Sequence, residues 1–166
     1  MTIKTHRLLI TELEPSMAKR LHRLSLDLDT RRYLPDEVFE TAGEALETIG
    51  YLLACRESGR GPQVLAVTLG SELVGYVQAS PIPEGWEIGY HIGGAFTGRG
   101  YATEAVRAFL PVILPALGID RIYGVCLAEN RASLRVLEKC GFETISEGLG
   151  VYQGKERPIR SCIYRI

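Results

Sequence analysis

A mixed α/β (α+β) fold, one central sheet with helices on both faces, is what the apolar patterning of this chain predicts, in the order β-α-α-β-β-β-α-β-α-β-β. Two observations carry that reading. Early strand-like segments are joined by short turns and so form an antiparallel meander. Later strands alternate with helical patterns, which gives a β-α-β-α unit and a sheet of mixed direction. No repeat, low-complexity stretch or linker divides the chain, so residues 1–166 read as a single domain.

His6 to Leu13 alternates as a first strand. Pro15 sits where a helix can start, and Met17, Leu21, Leu24 and Leu28 recur at helical spacing. Asp29 to Glu40 reads as an irregular loop. Ala42, Leu46, Ile49 and Leu53 mark a second helix, closed by Gly59 and Gly61. Val64 to Leu69 and Leu73 to Ala79 flank the turn Gly70-Ser71-Glu72, a hairpin signal, and Pro81 to Gly85 turns into a fourth strand, Trp86 to Ile92. The next helix carries Ala105, Val106, Phe109, Leu110, Ile113 and Leu114 on one side, with Pro111 and Pro115 expected to kink or shorten it. Arg121 to Leu127 is a fifth strand, Ala132 to Lys139 a helix stopped by Gly141, and Phe142 to Glu147 and Ile159 to Ile166 are the last strands.

Nineteen basic and twenty acidic residues leave a net charge of −1, which gives no general attraction for nucleic acid or an anionic membrane. Cys55, Cys126, Cys140 and Cys162 are scattered, as are the three histidines. No metal site is expected from them, and free thiols in a reducing cytoplasm are. The first residues lack the apolar core of a signal peptide, and no run reaches membrane-spanning length.

The residues that carry chemistry begin at Gly98-Arg99-Gly100-Tyr101-Ala102-Thr103-Glu104, between a strand and a helix. Exposed amides at a helix start, with the positive end of its dipole, make a seat for a phosphate or pyrophosphate, and glycines keep side chains out of it. A P-loop would need Lys and Ser or Thr where Arg99 and Gly100 stand, and a dinucleotide fold would need its glycines after the first strand of a doubly wound sheet. A plain strand-to-helix turn would account for two glycines by themselves. It does not account for a second motif some thirty residues on, Asn130-x-x-Ser133 with Lys139-x-Gly141-Phe142.

Together with Glu87-Ile88-Gly89-Tyr90 these motifs resemble the GNAT superfamily of acetyl-coenzyme A-dependent N-acetyltransferases, most of all its Rim-type branch, which acetylates protein N-termini. The match is close over residues 84 to 145, and Arg7-Leu8 with Arg32-Tyr33-Leu34 extends it. The resemblance implies a sheet splayed between the fourth and fifth strands, with acetyl-CoA as cosubstrate and no metal. Backbone amides of Gly98, Arg99, Gly100, Tyr101, Ala102 and Thr103 would cradle the pyrophosphate. The strand end at Ile92 would pair with the pantetheine arm, and Asn130 would hydrogen-bond it. Thr97, Gly94 and Leu137 depart from the pattern: relatives often carry Gln or Arg, Pro, and an acidic Tyr at those places.

For transfer, the resemblance makes Glu87 the candidate base and Ser133 the candidate proton donor to the leaving thiolate, with direct transfer in a ternary complex. His91 shares strand parity with Glu87 and is a second candidate; a packed or surface role suits it better. Arg99, Arg131 and Arg135 could reach coenzyme phosphates, and Trp86 and Tyr90 could line the groove. The acceptor, a protein N-terminus or else a small amine, would be chosen by Leu28 to Gly61 and Leu149 to Arg160. There Asp27, Asp29, Asp36 and Glu37 hint at a preference for cations. A non-catalytic acetyl-CoA-binding module is the alternative of a different class: Leu137 favours it, Glu87 and Ser133 oppose it. Homodimers are common among related enzymes, and the terminal strands could supply the contact.

Overall fold

The computed structural model describes residues 1–166. In chain order they form β1 (Ile3–Lys4), β2 (Leu9–Glu12), α1 (Ala18–Ser25), α2 (Leu28–Tyr33), α3 (Ala42–Ser58), β3 (Gln63–Leu69), β4 (Glu72–Ile82) and β5 (Gly85–Ile92). The second half adds α4 (Tyr101–Leu117), β6 (Arg121–Leu127), α5 (Arg131–Lys139), β7 (Glu143–Tyr152) and β8 (Lys155–Arg165). All eight strands belong to one sheet, in the order β1-β2-β3-β4-β5-β6-β8-β7. Every neighbouring pair is antiparallel except β5 and β6, which α4 joins as a parallel crossover.

Strand alternation sorts the apolar residues to two cores. Val67, Val77, Ile88 and Ile122 pack with Val106, Phe109 and Leu110 of α4 and Leu134 and Leu137 of α5. On the other face Val64, Ala66 and Tyr76 pack with Leu21 and Leu24 of α1 and Ala45 and Ile49 of α3. On β5 this puts Trp86, Ile88 and Tyr90 towards α4 and α5. Glu87 and His91, of opposite parity, belong to the other face.

Three expectations are corrected. The first helix stops at Ser25, and Leu28 opens a new helix, α2, with 84 % of its surface exposed. The cause is Asp27: its carboxylate accepts from the Thr30 amide at 2.7 Å and the Thr30 hydroxyl at 2.8 Å, so it caps a fresh helix start. Asp29 to Glu40 is therefore no irregular loop; it holds most of α2 and a single 3-10 turn, Pro35–Glu37. Second, the prolines do not shorten α4, which runs through Pro111 and Pro115 to Leu117. Both prolines and Arg107 are exposed, so the carbonyls they leave without N–H partners lie on the solvent side. Third, the last two strands are longer than their apolar pattern. They form a hairpin closed by Gln153 and Gly154, both at positive φ, so residues 148–158, left between the two predicted strands, are strand apart from that two-residue turn.

Close backbone approach is tightest at Gly75, where an added Cβ would run into the His91 carbonyl oxygen. Gly75→Ala should cost about 1–3 kcal/mol, the range for forcing extra atoms into packed structure. Leu28→Ser, despite its place in the apolar repeat, should stay within about 0.5 kcal/mol of the parent. Urea unfolding midpoints of the two variants check both; a Leu28→Ser loss as large as that of Gly75→Ala would contradict the helix boundary.

Candidate active site

The site begins as a gap in the sheet. β5 and β6, the fourth and fifth strands of the sequence reading, are paired only at Glu87 and Tyr123, and beyond that point they part. The opening is a cleft of about 1000 Å³, walled by β5, β6, the α4 N-terminus and α5. Gly93 N–H bonds to Val74 O at 2.9 Å, which fixes the ladder: Gly93, His91 and Gly89 direct their backbone groups at β4. By alternation, Tyr90 and Ile92 direct theirs into the gap, where a strand-like ligand can take them.

Beyond β5 the chain turns through Gly98 (φ 74°) and Gly100 (φ 80°), a conformation side chains resist, and enters α4. No backbone or side-chain acceptor within the chain takes the amides of Gly98, Arg99, Gly100, Tyr101, Ala102 or Thr103, and α4 has no side-chain cap. Their direction is set from behind. Glu104 accepts from the Thr5 hydroxyl (2.6 Å), the Arg7 amide (2.9 Å) and Arg7 Nε (2.8 Å), and Arg7 Nη1 donates to the Arg99 carbonyl at 2.9 Å. A planar trans peptide with its oxygen turned to Arg7 presents the Gly100 N–H to the opposite side. The guanidinium also lies 4.5 Å over the Tyr101 ring. Burial works against the Glu104 charge, but the bonds from Thr5 and Arg7 outweigh it and hold the carboxyl below its ordinary range.

Across the gap, Asn130 caps α5: its Oδ1 accepts from the Ser133 amide at 3.2 Å, which leaves the amide nitrogen free to donate into the cleft. The Ser133 hydroxyl is 2.8 Å from the Tyr90 hydroxyl, which also reaches the Ser133 carbonyl at 2.8 Å. Burial drives the Tyr90 phenol well above its usual range and raises Cys126 to about 11, so the thiol beside Ser133 stays protonated. Leu137 is packed against Gly124 and Ile88 in the core. The hydroxyl absent at Leu137 is thus matched by one that reaches Ser133 from β5.

On the other face, Glu87 is half-buried in the cleft. Burial, and next the charge of Glu37, lift its carboxyl to about 7. His91 is buried (9 % exposed) with Nε2 2.7 Å from the Thr30 hydroxyl, and burial depresses its basicity; it is a packed, neutral histidine tying α2 to β5. Asp27 feels burial most, yet hydrogen bonds from Thr30 and the Gly94 amide (3.2 Å) hold it ionised. No three His, Cys, Asp or Glu side chains converge as metal ligands.

The residues named beforehand for catalysis or coenzyme contact line this one cleft except Arg99, which stands between two that do, and Trp86, which packs against the core beneath the sheet and lies outside the groove. Arg131 and Arg135 line it as well and form no ion pair, so the half towards α4 and α5 is rich in unpaired positive charge. Sequence reasoning gave no role to the tie from Arg7 to Arg99 or to the partnership of Tyr90 with Ser133. Strand parity could have found that Tyr90 and Glu87 face opposite ways; the spacing of Arg7 and Glu104 carries no local signal.

The sequence matches the family described as acetyltransferase (GNAT) domain over residues 7–143. The uncharacterized N-acetyltransferase YnaD of Bacillus subtilis (strain 168) is 29% identical over 145 residues, which span 85% of this chain and 82% of that protein. A GNAT-family acetyltransferase from Bacillus anthracis superposes with a TM-score of 0.83 at 26% identity, over 99% of this chain and 98% of its own. RimL, a ribosomal-protein α-N-acetyltransferase solved in complex with coenzyme A, superposes with a TM-score of 0.86 at 19% identity, over 100% and 98%. The parted strands, the bare amides at the head of α4 and these matches agree: the chain belongs to the GNAT acetyltransferase family and is an N-acetyltransferase of that type.

Proposed function

We propose that this enzyme transfers the acetyl group of acetyl-CoA directly to a primary amine in a ternary complex, and that the amine is a protein N-terminus. The observation that carries the acetyl-CoA reading is the row of unpartnered amides from Gly98 to Thr103 at the mouth of the gap between β5 and β6. These amides and the α4 dipole fit a pyrophosphate. The free edge at Tyr90 and Ile92 fits the amide-bearing pantetheine arm, and Asn130 Nδ2 can donate to it. The acetyl carbonyl then lies where the strands part, within reach of a β5 amide that stabilises its developing negative charge.

The acceptor nitrogen must be neutral when it attacks. An α-amine titrates near pH 8, and Glu87, lifted to about 7, is matched to take its proton. The new N–C bond forms and the C–S bond breaks. The departing sulfur takes the proton of the Ser133 hydroxyl, which Tyr90 holds at 2.8 Å; water entering the cleft as the product leaves returns a proton to the serine and removes the one on Glu87. A protein N-terminus is supported by the RimL-like architecture. A small amine is the second reading: the Tyr152 hydroxyl bonds the Tyr33 carbonyl at 2.9 Å and straps the β7–β8 hairpin to α2 across the acceptor end, which narrows the room for a polypeptide. Four unpaired cysteines suit a reducing cytoplasm, where we place the protein.

Thiol release from acetyl-CoA with a panel of peptides and small amines tests the function: turnover best on peptides with a free N-terminus is expected, and tight coenzyme binding without turnover on any amine would make the chain a binding module. Glu87→Gln should lower turnover about 100-fold or more. Because Glu87 acts as its carboxylate, the parent rate should rise with pH through about 7. That inflection should vanish in the variant while coenzyme affinity holds; an unchanged pH–rate profile would reject Glu87. Arg7→Met should weaken coenzyme binding by about tenfold through the freed Arg99 carbonyl, and Gly100→Glu should abolish it. Calorimetry with coenzyme A reads both.

A further inference from the structure

The acceptor face of the cleft holds a second inward carboxyl. Asp29 and Asp36 are exposed and Asp27 is committed to capping α2, so of the four acids grouped in the sequence only Glu37 is turned inward and able to accept further hydrogen bonds. It sits at the end of the turn Pro35–Glu37 and folds over β4, accepting from the Tyr76 hydroxyl and, at 3.2 Å, from Gln78 Nε2. The register pairs Gln78 with Gly89 and Ser80 with Glu87, so Glu37 lies diagonally across from Glu87 on one face. Gly89 makes room for this: a Cβ there would stand 2.7 Å from Gln78 Nε2.

No cation answers these two carboxyls. Neither forms a salt bridge. The titratable groups facing them are Asp36 from the same turn, Tyr76 of β4, His91 of β5, Cys126 of β6 and Tyr152 of β7. None is basic but His91, which burial keeps neutral. Next to Tyr152, Gln153 Oε1 is buried with no donor and belongs to the same cleft. Two carboxyls without a counter-ion and an unpaired acceptor describe a seat waiting for positive charge and N–H groups, because unpaired buried acceptors are costly until a ligand pairs them.

We propose that Glu37 and Glu87 jointly seat the acceptor's ammonium group while Gln153 Oε1 takes a further N–H, so that the enzyme selects cationic amines with a second N–H donor close to the reacting nitrogen. The proposal rests on the acetyl-transfer reading and refines it. The amine arrives as a cation, one N–H proton passes to a Glu87 oxygen, and the neutral nitrogen is left facing the thioester. Glu37 holds the ammonium and, by its charge, keeps Glu87 basic enough to take that proton. A peptide N-terminus offers the second N–H through its next amide, a diamine through its other nitrogen.

Calorimetry on the full chain loaded with coenzyme A decides it, with a seryl tripeptide amide and 1,3-diaminopropane as probes, each beside its fully N-formylated derivative. The free amines should bind about tenfold or more tightly than the formylated forms at neutral pH. Glu37→Gln should shrink that preference to about threefold or less with coenzyme affinity unchanged, and move the acid limb of turnover to lower pH, since a neighbouring negative charge is gone. Gln153→Ala should weaken the tripeptide and spare propylamine, and whichever probe loses more identifies the source of the second N–H. Equal binding of free and formylated probes by the unaltered chain would overturn the proposal, as would a preference that does not fade when the pH is lowered to about 5. A Glu37→Gln variant that keeps the full preference would do the same. A chain that prefers the ammonium yet acetylates no amine would instead defeat the acetyl-transfer reading and leave this one standing.

Discussion

The tie between Glu104, Arg7 and the Arg99 carbonyl is the constraint on which the coenzyme half of the cleft depends. An isolated ion pair with side chains 38% and 18% exposed would contribute about 1 kcal/mol at most to stability. Its importance is directional. Two glycines at positive φ leave the loop before α4 free to point its amides many ways. Holding one carbonyl from behind selects the arrangement in which consecutive N–H groups face the gap. Glu104 in turn holds Arg7 through both its backbone amide and its guanidinium, so the N-terminal segment is stapled to α4 and the anion seat is built before any anion arrives.

β5 then divides the labour of the site by strand alternation alone. Odd positions place Glu87 on the acceptor face; even positions place Tyr90 against Ser133 on the coenzyme face. Backbone groups of Tyr90 and Ile92 point edgewise into the gap between the two. A residue that takes a proton and a residue that gives one are therefore separated by a strand's thickness and cannot neutralise each other directly. The electrostatics follow the same division, with unpaired Arg131 and Arg135 on one side and unpaired Glu37 and Glu87 on the other. An anionic coenzyme and a cationic amine each have one end of the cleft that suits them.

The order of elements, the meander and the β-α-β-α unit were legible because their apolar residues repeat with the right period over several turns or pleats. Helix α2 was not: its one inward residue, Thr30, is polar, its apolar Leu28 faces solvent, and its start is fixed by the Asp27 carboxylate. Periodicity has nothing to detect there, whereas Asp-x-x-Thr at a cap was the available signal. The β7–β8 hairpin outran its pattern for a related reason. β7 is an edge strand exposed along most of its length, so Leu149 and Val151 stand in solvent and no inside-outside alternation marks it. In the site, residues whose role belongs to the backbone or to a local motif (Gly98, Gly100, Asn130, Ser133) could be named from spacing. Those whose role arises from contact across the fold could not: Arg7 meets Glu104 ninety-seven positions on, and Glu37 meets Tyr76 thirty-nine positions on.

Leu137 shows how such a long-range contact changes the functional reading. By position it lacks the hydroxyl that related enzymes place there, which favoured a binding module. Yet the Tyr90 phenol carries a single proton and stands within hydrogen-bond distance of two Ser133 oxygens. If that proton goes to the Ser133 carbonyl, the serine hydroxyl must donate its own either to the phenol oxygen or to a ligand in the cleft. A thiolate is a far better acceptor than a phenol oxygen, so an arriving negative sulfur turns the serine hydrogen outward, and the phenol proton can swing to the serine oxygen it leaves behind. The buried phenol resists ionising, so it keeps its proton and steadies the serine oxygen through a hydrogen bond while the serine donates. In the proposed reaction the missing tyrosine is therefore no argument against turnover, because the donor is a serine hydroxyl of α5 that a phenol of β5 holds in place.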